Sequence, residues 1–361
     1  MFTKRSIRKD PSIGIIPSAT RGYRWSVLVV GVAILGAIMI ISCGVGAVYI
    51  PPGTVVRILL SHVPFLGIVQ DWPESWDIII WSIRLPRIML TAIVGGSLAI
   101  SGATYQGLFR NPLADPYLIG VAAGAGLGAT IILLTPVSTT YFGISILPVA
   151  AFMGALGAVG IAYVVSVHSR GLPLTTLILA GVAISSIAGA ATSLLMLISD
   201  PDIKPLLVWL LGGFETSEWS DLRIVLPYFV VGTIVMLVYA RVLNIFQLDE
   251  QQAKHLGVNV EKTKLVLIVS ASLVTAAAVS VSGLIGFVGL IAPHAVRLLW
   301  GPDHRFLLPM SILVGAVFLI IADLVARTAL VPRVLPVGVV TAFCGGPFFL
   351  YILHQARKRF I

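Results

Sequence analysis

The sequence predicts an all-α polytopic membrane protein, with about ten transmembrane helices in two five-helix halves of opposite topology. Three observations lead there. Only 11% of the 361 residues are charged and 58% are hydrophobic, whereas a soluble domain carries about 25% charged residues. Apolar runs recur along the chain at close to the roughly 20 residues that a bilayer-spanning helix needs. With the N-terminus placed inside, 17 of the 24 basic residues fall on the inner side, as the positive-inside rule requires.

The spans follow in order. Lys4, Arg5, Arg8, Lys9, Arg21 and Arg24 precede the first, 25–49. That run is too long for the roughly 7–15-residue core of a signal peptide, so it reads as a retained helix. The second, 86–107, starts at Arg84 and Arg87 and stops at the proline-broken turn Arg110–Pro116. A glycine-rich third span, 117–135, follows. The fourth and fifth, 146–167 and 174–198, flank a short basic turn at Arg170. The sixth, 222–243, follows an acidic loop. The seventh, eighth, ninth and tenth are 264–282, 283–300, 305–326 and 336–354. The eighth is short, glycine-broken and almost without a loop before it. Ala99-Ile100-Ser101-Gly102 returns as Ser280-Val281-Ser282-Gly283, and an odd number of spans per half would invert the second copy.

Both termini are then cytoplasmic. Residues 1–24 form a basic cytoplasmic segment and 25–361 the transmembrane domain. The larger loops are 50–85 and 199–221 outside and 244–263 inside. Trp72, Trp76 and Trp81 in the first read as interfacial anchors. The inner loop reads as a short helix with Leu248, Ala253 and Leu256 on one face and Gly257 as its stop. It is either a solvated connector or a docking protrusion.

Several function classes are excluded or disfavoured, an ion-coupled secondary transporter staying as the lesser alternative. The basic residues lie in short loops and at the ends, which does not make a nucleic-acid surface. Cys43 and Cys344 sit in apolar runs and read as small packing residues. Asp323 is the one acid within an apolar run, with Arg327 at i+4. An ion-coupled carrier usually buries several acids as its relay. A membrane enzyme or scaffold finds no clustered His, Asp or Glu here. No GxxxxGK[ST] phosphate loop occurs, so nucleotide hydrolysis by that route belongs to a partner. His294 lacks a second ligand nearby and reads as a helix-end cap rather than a metal site. Gly95, Gly96, Gly102, Gly283, Gly286 and Gly289 read as small faces for close helix packing. Arg84, Arg87 and Arg327 lie at the outer edge, against the charge bias. They either reach to lipid phosphate or offer guanidinium forks to carboxylates of a partner.

The run RLPRIMLTAIVGGSLAISGATYQGLFRNPLADPYLIGVAAGAGLG (84–128) resembles the signature of ABC-importer permeases for iron–siderophore complexes, haem and cobalamin. The resemblance continues through LILAGVAISS (177–186), WLLGGF (209–214), LDEQQAKHLGV (248–258), SGLIGFVGLIAPHAVRLLWGPDHRFLLP (282–309), ADLVAR (322–327) and LPVGVVTAFCGGPFFLYIL (335–353). It implies a non-catalytic permease subunit without a cofactor, in the cytoplasmic membrane of a prokaryote. Its implied partners are membrane lipid, cytoplasmic ABC ATPase subunits and an extracytoplasmic substrate-binding protein. It also implies a homodimer, or a heterodimer with a related permease. By that resemblance, Arg84, Arg87 and Arg327 would dock the binding protein. Leu248, Asp249, Glu250, Ala253, Leu256 and Gly257 would couple to the ATPase. Leu174, Thr175 and Thr176 would form the cytoplasmic gate, with the fifth and tenth helices lining the path at the dimer axis. Iron chelates are the first expected cargo and cobalamin the second. Val334 stands where the family usually has an acid before Leu-Pro.

Overall fold

The computed structural model describes residues 21–135, 140–141, 144–167, 172–199, 203–248 and 250–358. Most of the expected N-terminal segment 1–24, and Asp249, lie outside these. The described helices are α1 (Arg21–Gly44), α2 (Pro52–Ser61), α3 (Glu74–Ile78), α4 (Leu85–Leu108), α5 (Val121–Leu134), α6 (Ile146–Ser166), α7 (Leu174–Ile198) and α8 (Lys204–Leu211). They continue with α9 (Trp219–Val238), α10 (Ala240–Phe246), α11 (Glu250–His255), α12 (Val260–Ser282), α13 (Val288–Trp300), α14 (His304–Thr328) and α15 (Val337–Lys358). One antiparallel strand pair, Thr140–Tyr141 with Ile144–Ser145, interrupts the helical pattern.

Among the described residues, seven helices are long and apolar enough to cross a membrane. Of four shorter apolar helices among the described residues, α5, α13 and α15 fall at the three remaining expected spans, and the ten-residue α2 falls in the expected loop 50–85. Boundaries moved where backbone chemistry overrode hydropathy. The first helix stops at Gly44 rather than 49, ahead of Gly46 and Pro51-Pro52. The second starts early: α3, a π-turn over Ile79–Arg84 and α4 run on as one helix, Glu74–Leu108. Its 35 residues make about 52 Å, far more than a hydrocarbon core of about 30 Å.

The two halves repeat in their packing. Counting spans, α4 (second) packs along α14 (ninth), and α12 (seventh) along α6 (fourth). Likewise α5 lies on α6 and α7, while α13 lies on α14 and α15. Each contact maps onto its counterpart when the halves are exchanged. Glycines carry the tightest approaches. A Cβ on Gly95 would fall on the Gly315 carbonyl, and one on Gly102 would fall on the Gly289 carbonyl. Gly286 has nothing within 4 Å, so the packing expectation does not extend to it.

The eighth span is not a helix from 283. Residues 283–287 are non-helical, with positive φ at both ends, Gly283 at +65° and Phe287 at +69°. The 13 residues of α13 make only about 20 Å, and the non-helical stretch precedes it within the expected eighth span. Non-helical backbone at membrane depth survives only when protein satisfies its polar groups. Tyr117, in the 3-10 turn Pro116–Ile119 before α5, does this: its hydroxyl donates to the Ile285 carbonyl (2.9 Å) and accepts from the Ile285 N–H (3.2 Å). The interruptions of the two halves thus meet. Tyr117→Phe is expected to cost about 1–3 kcal/mol, because two buried backbone groups lose their partner. Thermal unfolding in detergent reads it, and an unchanged Tm would show that the hydroxyl is dispensable.

Candidate functional site

Two faces of the bundle hold the predicted site residues. At the Arg84 face, the C-terminal end of α1 leaves carbonyls without helical partners. Arg84 Nη1 donates to the carbonyls of Cys43 (2.6 Å) and Gly44 (3.2 Å), and Nη2 to that of Val48 (2.6 Å). Arg84 is only 7% exposed. Its expected place as a free docking fork is therefore corrected: it is a buried staple that closes the end of α1.

Arg87 forms a two-pronged pair with Asp323, Nη2 to Oδ1 at 2.7 Å and Nε to both oxygens at 3.1 and 3.3 Å. Arg327 donates through Nε to Asp323 Oδ2 (3.0 Å), and its Nη groups reach Ser42 and the Val45 carbonyl. The Asp323 side chain is 1% exposed, against 12% for Arg87 and 10% for Arg327. Helices α1, α4 and α14 are thus tied through one carboxylate. Two guanidinium groups share it and Arg84 lies beside them on the end of α1, so the cluster holds two more positive charges than negative ones. Above them Trp72 is buried rather than facing lipid, with Arg57 over its ring, and Trp81 stacks on His62 at 4.1 Å.

At the opposite face, α11 ends in a Schellman turn. Val258 N–H bonds to the Ala253 carbonyl, Gly257 N–H bonds to the Lys254 carbonyl, and Gly257 lies at φ +78°. Ala253 is fully buried, while Leu248 and Leu256 are largely exposed. The expectation of one shared apolar face is corrected. Ala253 anchors the segment inward and the two leucines project from it. The side chain of Glu250 is not among those described. Asn259 caps α12 through Lys262 N–H (3.0 Å). Asp303 gathers Arg24 (2.5 Å), Asn244 (2.8 Å) and Arg305. Although burial pushes its carboxyl up, these bonds hold it well below the usual carboxylate range. The three residues expected at the gate start α7, with Leu174 and Thr176 half-buried and Thr175 exposed.

Residues 34–355 match the FecCD transport family. The chain belongs to that family. Cobalamin import system permease protein BtuC of Halobacterium salinarum is 50% identical over 288 residues, 80% of this chain and 76% of that protein. Hemin transport system permease protein HmuU of Yersinia pestis is 40% identical over 294 residues, 80% and 88% of the two chains. A solved structure, reported as a metal-chelate type ABC transporter in an inward-facing conformation, superposes with a TM-score of 0.79 at 32% identity. It covers 91% of this chain and 99% of that one.

This FecCD chain also holds features that sequence reading passed over. A recess of about 400 Å³ is lined by Asp115, Tyr117, Leu118, Val182, Ser185 and Ser186. Burial pushes the Asp115 carboxyl up to about 6, partly offset by the bond it accepts from Tyr117 N–H. The only hint in sequence was Asp115 ahead of Pro116, which read as a turn. His294 lies inside α13 beside Phe348, not at a helix end, and no group of three or more metal-ligating side chains occurs among the described residues. Cys43 is buried as expected, whereas Cys344 is exposed on α15.

Proposed function

We propose that this chain is the membrane permease subunit of a binding-protein-dependent ABC importer for a bulky metal chelate. Cytoplasmic partner subunits hydrolyse the ATP, and the chain itself does no covalent chemistry. It sits in the cytoplasmic membrane of a prokaryote with both termini inside. The observation that carries this is the asymmetry of the two faces. One holds a cluster of three arginines around a single carboxylate, two more positive charges than negative within the cluster, suited to an acidic patch on a protein surface. The other presents two exposed leucines, Leu248 and Leu256, on either side of the capped helix α11, suited to a cleft in an ATPase. Arg87 and Arg327 act here through their field more than through direct forks, since both are mostly buried.

Pairing of two permeases along α7 is supported by its surface. Leu179, Ile187, Leu194 and Leu197 are each more than half exposed, and only Leu177, Gly181 and Ala188 are buried. The path would then run between the two α7 helices, closed at one end by Leu174–Thr176. Iron–siderophore or haem is the first cargo reading; the 50% identical cobalamin permease favours cobalamin as the second.

Uptake of labelled ferric siderophore, haem and cobalamin separates these readings, in a strain stripped of its own importers and supplied with the ATPase and binding protein. One chelate is expected to enter in an ATP-dependent way. Binding of the loaded binding protein is expected to weaken as salt rises and screens the outer charges. Uptake driven by a proton gradient in liposomes holding this chain alone would sink the proposal.

A further inference from the structure

Leu172 lies two residues before α7 and is buried. Both of its backbone polar groups are held by side chains of α12. Its N–H donates to Glu261 Oε2 at 2.8 Å, and its carbonyl accepts from Lys264 Nζ at 3.4 Å. The two charged ends are 3.5 Å apart, one helical turn from each other, and the Lys264 side chain is only 4% exposed. A buried peptide unit outside regular structure needs partners, but neutral groups would serve. Burying an ammonium group is costly unless it is paired. Charged partners bind more strongly than neutral ones, so this grip fixes orientation as well as position.

The grip has a mechanical consequence. Its two side chains lie in the first turns of α12, directly after the Asn259 cap and the Schellman turn that ends α11. Between α11 and Leu172 every link is a helix, a capped turn or a charged hydrogen bond. We infer that Glu261 and Lys264 are positioning residues that deliver movement of the α11 segment to the gate end of α7. This rests on the importer reading above and adds the residues that would transmit the stroke.

The test uses the full complex with its ATPase subunits in nanodiscs, on a Cys344→Ser background, with a spin label on Thr175→Cys. ATP hydrolysis and the distance between the labels of two protomers are measured with and without ATP plus vanadate. In the parent complex, nucleotide is expected to shift that distance. Lys264→Met is expected to keep ATP hydrolysis and to lower the population reaching the shifted position roughly tenfold, the equivalent of one charged hydrogen bond. Lys264→Arg is expected to restore the shift. Glu261→Ala, at a half-exposed position, is expected to match Lys264→Met, and the double variant to add little beyond either. An undiminished shift in both single variants would overturn the inference. So would a parallel loss of shift and hydrolysis in both, which marks a merely structural role. If the parent complex fails to bind ATPase subunits or to hydrolyse ATP, the importer reading falls first and takes the inference with it.

Discussion

Asp323→Ala is expected to destabilise the protein by about 3–5 kcal/mol, the usual cost of removing one partner from a buried ion pair. Two mostly buried guanidinium groups, Arg87 and Arg327, would lose their common carboxylate. Arg84 also lies at this face, so the charge left behind is repulsive as well as unpaired. Asp323→Asn keeps the volume and removes the charge, and should share most of the loss. Arg87→Met should cost less, because Asp323 then still holds Arg327. Unfolding midpoints of the three variants in one detergent check the order. Equal stability of Asp323→Ala and the parent would show that water already screens this cluster.

Gly102→Val is expected to disrupt the packing farther along α4. A Cβ there falls on the carbonyl, carbonyl carbon and Cα of Gly289, all of them backbone atoms. No rotamer change relieves such a clash, so α4 and α13 must separate. Overpacking of this kind costs about 1–3 kcal/mol and more where the backbone is rigid. The separation also breaks the bond from Gln106 Nε2 to the Gly289 carbonyl (3.1 Å), and with it the tie to Arg297, whose Nη2 donates to Gln106 Oε1 (2.9 Å). Loss of the monodisperse peak in size-exclusion chromatography would report it. Gly286→Val serves as the control, since a Cβ there meets nothing within 4 Å. If both variants behave alike, hydrophobic bulk in the membrane is the cause rather than the α4–α13 contact.

The arginine cluster shows how far reading of the chain went. Asp323 and Arg327 are four residues apart, so helical geometry alone paired them. Arg87 is 236 positions from Asp323, and no local rule joins them. Arg84 was legible as an anomaly against the charge bias. Its three carbonyl acceptors were not, because they arise only where α1 ends at Gly44, five residues before its apolar run does. The coupling segment divided in the same way. Gly257 announced the stop of α11, yet Ala253 turned inward and Leu248 outward because α10 and α12 fix the helix from both sides.

The sequence by itself determined the number of spans, their order, the polar loops and the family, since these depend on hydrophobic length, local breakers and motif order. Each is a property of neighbours along the chain. Tertiary structure alone decided which charges are shared, where the eighth span unwinds and which loop grips which helix. The non-helical backbone at 283–287 has both polar groups of Ile285 satisfied by Tyr117, 168 residues away. Leu172 is likewise fixed only by Glu261 and Lys264 from another helix. Such partners are chosen by packing in three dimensions, where a buried polar group accepts whichever complementary atom the fold brings within reach.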